Sequence, residues 1–281
     1  MKYTNVKILS NDLIAEDIFS MNVDAPEIAP DVLPGQFAMV YLPNGELLLP
    51  RPISICDADD GQLRFVYQVV GTGTKVMSKL KLGGMVQILA PLGRGFFTTQ
   101  ARTPLNKVAL VGGGIGTPPL LLLAKTLKAQ GSQVDAYLGF RKDTILTREF
   151  ENIVDRLYTA TEYGNTGYRG RVLEIVESLH IDYDEILACG PRPMLNAVAN
   201  YAASRGIPCQ ISTEERMACG LGTCVGCVLS VRGSYVRICT EGPVFYSDEI
   251  SSHPEGSGIY FASAAGHGAG PHLNGEVDCH E

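Results

Sequence analysis

The sequence predicts an α+β multidomain chain: an antiparallel β-barrel, then a doubly wound α/β domain, then a small C-terminal unit built around cysteines. Three observations predict it. Residues 1 to about 98 carry short alternating runs cut by turn pairs, and beyond Lys107 apolar strands alternate with helical segments. Four of the eight cysteines, Cys219, Cys224, Cys227 and Cys239, fall within 21 residues. The length of 281 residues suits two domains and a small third at roughly 150 residues per domain.

The opening region reads as a barrel because runs at 6–9, 37–41 and 63–67 alternate and are separated by Pro-Gly, Asn-Gly and Asp-Gly pairs. Evenly spaced short strands with such turns favour closure over an open sheet. One helix is expected from residue 74 to about 82, ended by Gly83-Gly84. From Lys107 the pattern changes. Residues 108–111 read as a buried parallel strand, followed by a glycine-rich turn and a helix opened by Pro118-Pro119. Helices over 120–129 and 173–179 then alternate with strands at 135–140 and 185–189, the βαβ arrangement of a doubly wound sheet. The expected boundaries are 1–100, 105–212, 213–252 and a mobile tail over 253–281. The tail is rich in Gly, Ala, Ser and His, and its His267, His272, Cys279 and His280 hold no regular ligand spacing.

With 23 basic and 30 acidic residues the net charge is −7, which lacks the electrostatic footprint of a nucleic-acid binder. A hydrophobic fraction of 45% against 19% charged excludes global disorder. The N-terminus has no apolar run with a cleavage site. The longest aliphatic cluster, 120–124, is far short of the ~20 residues that span a bilayer. A cytoplasmic protein without membrane association is expected, and its cysteines then need a reading other than a disulfide framework.

The spacing Cys219-x4-Cys224-x2-Cys227, with Cys239 after eleven further residues, is the plant-type pattern of a [2Fe–2S] centre. Gly220, Gly222 and Gly226 let the loop wrap a cluster and aim backbone N–H groups at its sulfurs. Structural zinc and buried free thiols are the alternatives. Zinc favours two C-x2-C knuckles, and only one pair here has that spacing.

Three weaker motifs accompany it. Gly112, Gly113, Gly114, Gly116 and Thr117 follow a strand and precede a helix, so the turn suits a pyrophosphate against the helix N-terminus. It departs from G-x-G-x-x-G, no acidic residue closes the next strand, and tight packing explains such a turn equally well. In the barrel, Arg51-Pro52-Ile53-Ser54, Val66-Tyr67-Gln68 and Gly73-Thr74 offer a phosphate fork, hydrogen bonds to a flavin edge, a packing ring and a helix start. Taken singly, Arg51 reads as a surface charge, Ser54 as a turn residue and Tyr67 as a barrel aromatic. Cys189-Gly190-Pro191 ends a late strand, where Cys189 would border a nicotinamide ring or serve as a small buried hydrophobe.

In this order the elements resemble the ferredoxin–NADP⁺ reductase superfamily: a flavin barrel, a nucleotide domain and a [2Fe–2S] domain. More narrowly, the chain resembles the electron-transfer subunits of NAD-dependent, two-subunit dihydroorotate dehydrogenases over roughly residues 3 to 250. The stretches that carry this are RPISI (51–55), GTGT (71–74), PLGRGF (91–96), LVGGGIGTPPLL (110–121), CGP (189–191), EERMACGLGTCVGCVL (214–229) and CTEGPVF (239–245). The resemblance implies FAD contacts at Arg51, Pro52, Ile53, Ser54, Val66, Tyr67, Gln68, Gly73 and Thr74, and cluster ligands at Cys219, Cys224, Cys227 and Cys239. It also implies NAD(H) as co-substrate, and as partner an FMN-containing catalytic subunit that oxidises dihydroorotate in de novo pyrimidine biosynthesis, in a heterotetramer of two plus two. Ile53 replaces the tyrosine of the wider superfamily, as in the narrower family, and Gln68 stands where relatives often carry arginine. No protein acid or base is assigned. The runner-up is a sister diaphorase feeding a hydrogenase, a sulfur reductase or a bifurcating NAD(P)H–ferredoxin enzyme. A redox-inactive nucleotide-binding module with structural zinc is the third reading.

Overall fold

A computed structural model describes residues 1–43, 47–97 and 105–250. The first unit comprises β1 (Lys2–Ala15), β2 (Ile18–Asp24), β3 (Phe37–Tyr41), β4 (Arg51–Asp59), β5 (Gln62–Gln68), a short helix α1 (Thr72–Met77) and β6 (Met85–Leu92). The strands close in the order β1-β2-β5-β4-β3-β6, all antiparallel. Alternation decides which side chains go inside: Ile8, Met21, Leu63, Phe65 and Ile88 are fully buried in the barrel. Each contributes about 1.5–3 kcal/mol by leaving water.

The helix is shorter than the expected 74–82 and starts earlier. The Thr74 hydroxyl accepts the N–H groups of Val70 (2.9 Å) and Gly71 (3.3 Å), which fixes the start two residues upstream. Downstream, Lys79 bonds Val76 and Leu80 bonds Met77, three-residue turns that tighten and end the helix before Gly83.

The second unit contains β7 (Lys107–Gly113), α2 (Pro119–Ala129), β8 (Gln133–Phe140), α3 (Thr147–Glu151), β9 (Arg156–Thr161), β10 (Tyr168–Arg169), α4 (Val172–Leu179), β11 (Glu185–Cys189), α5 (Arg192–Arg205) and β12 (Cys209–Ser212). The third adds a hairpin of β13 (Val228–Val231) and β14 (Ser234–Arg237), then α6 (Ile238–Glu241) and β15 (Val244–Tyr246). The sheet runs β10-β9-β8-β7-β11-β12-β15, parallel except for β15. Strand order therefore reverses between β7 and β11, and their carboxyl ends form the crevice in which such sheets bind ligands. Because β15 completes this sheet, the expected boundary at 212/213 divides the chain but not the fold.

Apolar packing joins the units on two sides. Cys56, Val66 and Phe96 of the barrel region share a core with Leu120, Leu121 and Ala124 of α2. Phe37, Met39 and Leu92 share another with Cys227, Ile238, Cys239 and Phe245. Polar contacts reinforce both seams: Lys125–Asp57 and Arg64–Glu149, each at 2.5 Å, and the Arg94 N–H to the Gly242 carbonyl at 2.5 Å. The expected tail over 253–281 lies outside the described residues. Among the described residues no helix is long and apolar enough to cross a membrane.

Candidate functional site

The loop of residues 219–227 is bent by positive φ at Gly220, Gly222 and Val225. It is pressed against β3, where a Cβ on Gly220 would meet Met39 Cγ at 2.6 Å. The four clustered cysteines come together in two pairs. The Cys219 thiol feels the Cys224 side chain as its neighbour, and the Cys239 thiol feels that of Cys227. Backbone donors serve the sulfurs: the Leu221 N–H reaches Cys219 Sγ at 3.3 Å and the Cys239 N–H reaches Cys227 Sγ at 3.4 Å. The Gly222 backbone N–H opposes the rise of the Cys239 thiol.

Electrostatics divides the set. Burial pushes Cys219 up, but the Thr223 hydroxyl, the Cys224 and Leu221 N–H groups and the Cys224 side chain outweigh it and bring the thiol down to about 6. Cys239 is pushed up to about 12 by burial and by its neighbour Cys227. Among the described residues no three His, Cys, Asp or Glu side chains form a donor group around one ion. Two pairs of thiols suit a two-iron cluster with two ligands per metal, whereas a structural zinc needs four donors around one point. Cys56, Cys189 and Cys209 are buried elsewhere, and burial pushes each up to about 12, as for inert structural thiols.

The barrel and the second unit meet where α2 packs on β4 and the turn at Gly114–Gly116 approaches β5. On the barrel side the structure brings Arg51, Gly73 and Thr74 together. A Cβ on Gly73 would meet Arg51 Nη1 at 2.5 Å, so the guanidinium lies across the start of α1, steadied by the Leu49 carbonyl at 2.7 Å. Pro52 and Ser54 are half-buried, and alternation puts them on the same strand face as Cys56, the face that packs on α2. Val66 shares that α2-side core, and Gln68 is exposed at the strand end. Ile53 packs against the barrel core. Tyr67 goes inside too: it is 2% exposed, stacks on Phe19 at 5.8 Å and donates its hydroxyl to Asn11 Oδ1 at 2.9 Å. Its ring is a barrel aromatic, and what it offers outward is backbone.

On the other side, the turn at Gly114–Gly116 approaches β5. Three of its four glycines answer to packing. A Cβ at Gly112 would meet Thr117 Oγ1 at 3.0 Å, at Gly113 Met194 Sδ at 2.6 Å, and at Gly116 the Gly190 Cα at 2.5 Å. Gly114 alone faces open space, at φ +52°. The expected helix N-terminal donors are absent from the start of α2. Pro118 and Pro119 have no N–H, and the N–H groups of Leu120 and Leu121 bond Thr117 and Pro118. The turn itself, Gly114–Gly116, runs into α2 through helical Thr117 and Pro118. It touches Cys189, Gly190 and Pro191, and Cys189 is a buried, protonated thiol. The Thr117 hydroxyl packs beside Gly112, fully buried and with no hydrogen-bond partner in the structure.

Full-length similarity completes the picture. The chain is 40% identical over 248 residues to the "Dihydroorotate dehydrogenase B (NAD(+)), electron transfer subunit" of Caldanaerobacter subterraneus, covering 87% of this chain and 96% of that one. Its counterpart in Clostridium acetobutylicum is 39% identical over 249 residues, covering 89% and 97%. The chain belongs to this family of electron transfer subunits. Residues 214–251 match the family model described as the iron-sulfur cluster binding domain of dihydroorotate dehydrogenase B, a span that contains all four clustered cysteines. A solved NADH-dependent reduced ferredoxin–NADP oxidoreductase, studied for flavin-based electron bifurcation, superposes at TM-score 0.79 with 29% identity, covering 88% of this chain and 89% of that one. A ferredoxin reductase in carbazole 1,9a-dioxygenase shares the fold at TM-score 0.61 and 20% identity, covering 74% and 67%.

Sequence reasoning missed three features of the dihydroorotate dehydrogenase B electron-transfer fold as this chain builds it. Arg237 and Glu241 bracket Cys239 and are bonded to each other, a pairing legible in the i,i+4 spacing of RICTE. Glu214, just past β12, is exposed yet its carboxyl is raised by the surrounding protein, with Arg192 partly offsetting the shift. The contact of β3 with the cysteine loop has no local signal, since about 180 residues separate its halves.

Proposed function

We propose that the chain carries electrons between NAD(H) and the FMN-containing catalytic subunit of a dihydroorotate dehydrogenase, in de novo pyrimidine biosynthesis. The observation that carries the reading is a match to electron transfer subunits over 87% of the chain, with four cysteines spaced as Cys219-x4-Cys224-x2-Cys227 and Cys239 inside it. When bound, FAD and a [2Fe–2S] cluster supply the two-electron and one-electron chemistry that side chains lack.

The chain's own residues hold and orient. Cys219, Cys224, Cys227 and Cys239 are the ligand set of the cluster, with Cys227 and Cys239 shielded from water beside Ile238 and Phe37. Arg51, Gly73 and Thr74 form the phosphate end of the FAD site, and Pro52, Ile53, Ser54, Val66, Tyr67 and Gln68 border the ring with strand backbone and the Ser54 hydroxyl. Gly112, Gly113, Gly114, Gly116, Thr117, Cys189, Gly190 and Pro191 form the NAD(H) site. Cys224, Leu221 and Val225 are exposed on the cysteine loop, where a partner can approach. The assembly is a heterotetramer of two such subunits on a catalytic dimer, in the cytoplasm. NADH is the preferred nucleotide.

A sister diaphorase is the second reading, favoured by the superposition on the NADH-dependent oxidoreductase. Mass spectrometry of what copurifies with the chain decides between them. An FMN protein that oxidises dihydroorotate supports the proposal, and a hydrogenase, sulfur reductase or ferredoxin-linked partner overturns it.

A further inference from the structure

The turn carrying the fourth cysteine is closed by one ion pair. The Arg237 N–H donates to Glu241 Oε2 at 2.7 Å, Nε to the same oxygen at 3.4 Å and Nη2 to Oε1 at 3.0 Å, while the Thr240 hydroxyl also donates to Oε2 at 2.9 Å. Cys239 lies midway between the two charged residues. One guanidinium nitrogen is left over, and Nη1 crosses to the Gly222 carbonyl at 3.2 Å, in the loop between Cys219 and Cys224. The N–H of the same glycine is near enough to Cys239 to lower its thiol. The residue is thus held through its carbonyl by the arginine, with its N–H turned toward the sulfur. Gly222 has φ +78°, and a Cβ there would meet Thr240 Cγ2 at 2.9 Å, so only glycine permits this approach.

We infer that Arg237 and Glu241 are positioning residues for the iron–sulfur centre: the arginine fixes an N–H···S donor on Cys239, and the two opposed charges tune the cluster potential. The inference rests on the [2Fe–2S] reading of the four cysteines. Reduction adds a negative charge to the cluster, so a nearby cation and N–H donors to sulfur favour it and a nearby carboxylate opposes it. The pair balances these effects. A scaffold role alone would make the loss of either residue act alike, whereas tuning makes the two act in opposite directions.

The test is a redox titration of the cluster, followed by electron paramagnetic resonance, on full-length protein prepared without oxygen. Arg237→Met should lower the reduced-to-oxidised ratio at a fixed poise by roughly tenfold, about 59 mV for a one-electron couple. Glu241→Gln, whose single amide oxygen can still take the Arg237 N–H and Nε bonds while losing the one from Nη2, should raise it. The double variant should return toward the starting value. Equal potentials, or shifts of the same sign, overturn the inference while leaving the cluster reading intact. Should Arg237→Met shed its iron, Glu241→Gln alone decides: a rise upholds tuning, and no change or a fall refutes it. Unaltered protein containing zinc in place of iron would refute the underlying reading instead.

Discussion

Replacing Gly116 by alanine puts a methyl group 2.5 Å from the Gly190 Cα and 2.6 Å from the Cys189 carbonyl carbon, both backbone atoms that cannot swing away. Gly116→Ala should therefore force apart the two turns, destabilise the protein by about 2–3 kcal/mol and lower NADH-dependent flavin reduction. Gly114→Ala meets open space and only the strain of φ +52°, about 1 kcal/mol. Denaturant unfolding and stopped-flow reduction of the two variants check the contrast. Among the cysteines, Cys239→Ser should lose the cluster and keep FAD, and Cys56→Ser and Cys209→Ser should leave the cluster spectrum unchanged. Bleaching in either of the last two would break the ligand assignment. Loss of FAD in Cys239→Ser would show that the Gly242–Arg94 contact makes the barrel depend on the cysteine unit. The cysteine spacing was legible residue by residue because a metal centre constrains both type and interval. The ring of Tyr67 was not, since a strand pattern does not say which of two faces meets the cofactor.

Most helices and strands were readable from periodicity, and 185–189 emerged as the strand itself, Glu185–Cys189. The exceptions have local causes: α1 is set by the Thr74 hydroxyl and three-residue turns, and β15 is three residues long, too short for any period to register. Between α2 and the sheet, Asp155 is bonded by Lys128 Nζ at 2.7 Å and by the Val134 N–H at 2.7 Å. Burial pushes its carboxyl up, but these partners hold it below its usual value. A lowered folded-state value stabilises above the ordinary value of 3.8, and that contribution is lost as the pH falls below it. Asp155→Asn should cost about 0.5–1 kcal/mol at pH 7, reduced by solvent screening at this partly exposed site, and the difference should vanish in strong acid. Urea unfolding at both pH values measures it.

Among the described residues two apolar seams and the ion pairs Lys125–Asp57 and Arg64–Glu149 fix the barrel against the second unit. That arrangement was legible as a domain order but not as contacts, which join residues more than 60 positions apart. Nucleotide choice belongs here as well, since Lys142 reaches from the end of β8 to Glu16 of the barrel region at 3.8 Å. That exposed pair is weak, and the proposed NADH preference is checked by steady-state rates: kcat/KM should be higher with NADH than with NADPH. The central claim, that this fold couples a flavin to a two-iron cluster, is tested most directly by iron, sulfide and flavin analysis with a visible spectrum on protein purified without oxygen. The account predicts two irons, two sulfides and one FAD per chain. Colourless protein with one zinc per chain would contradict it.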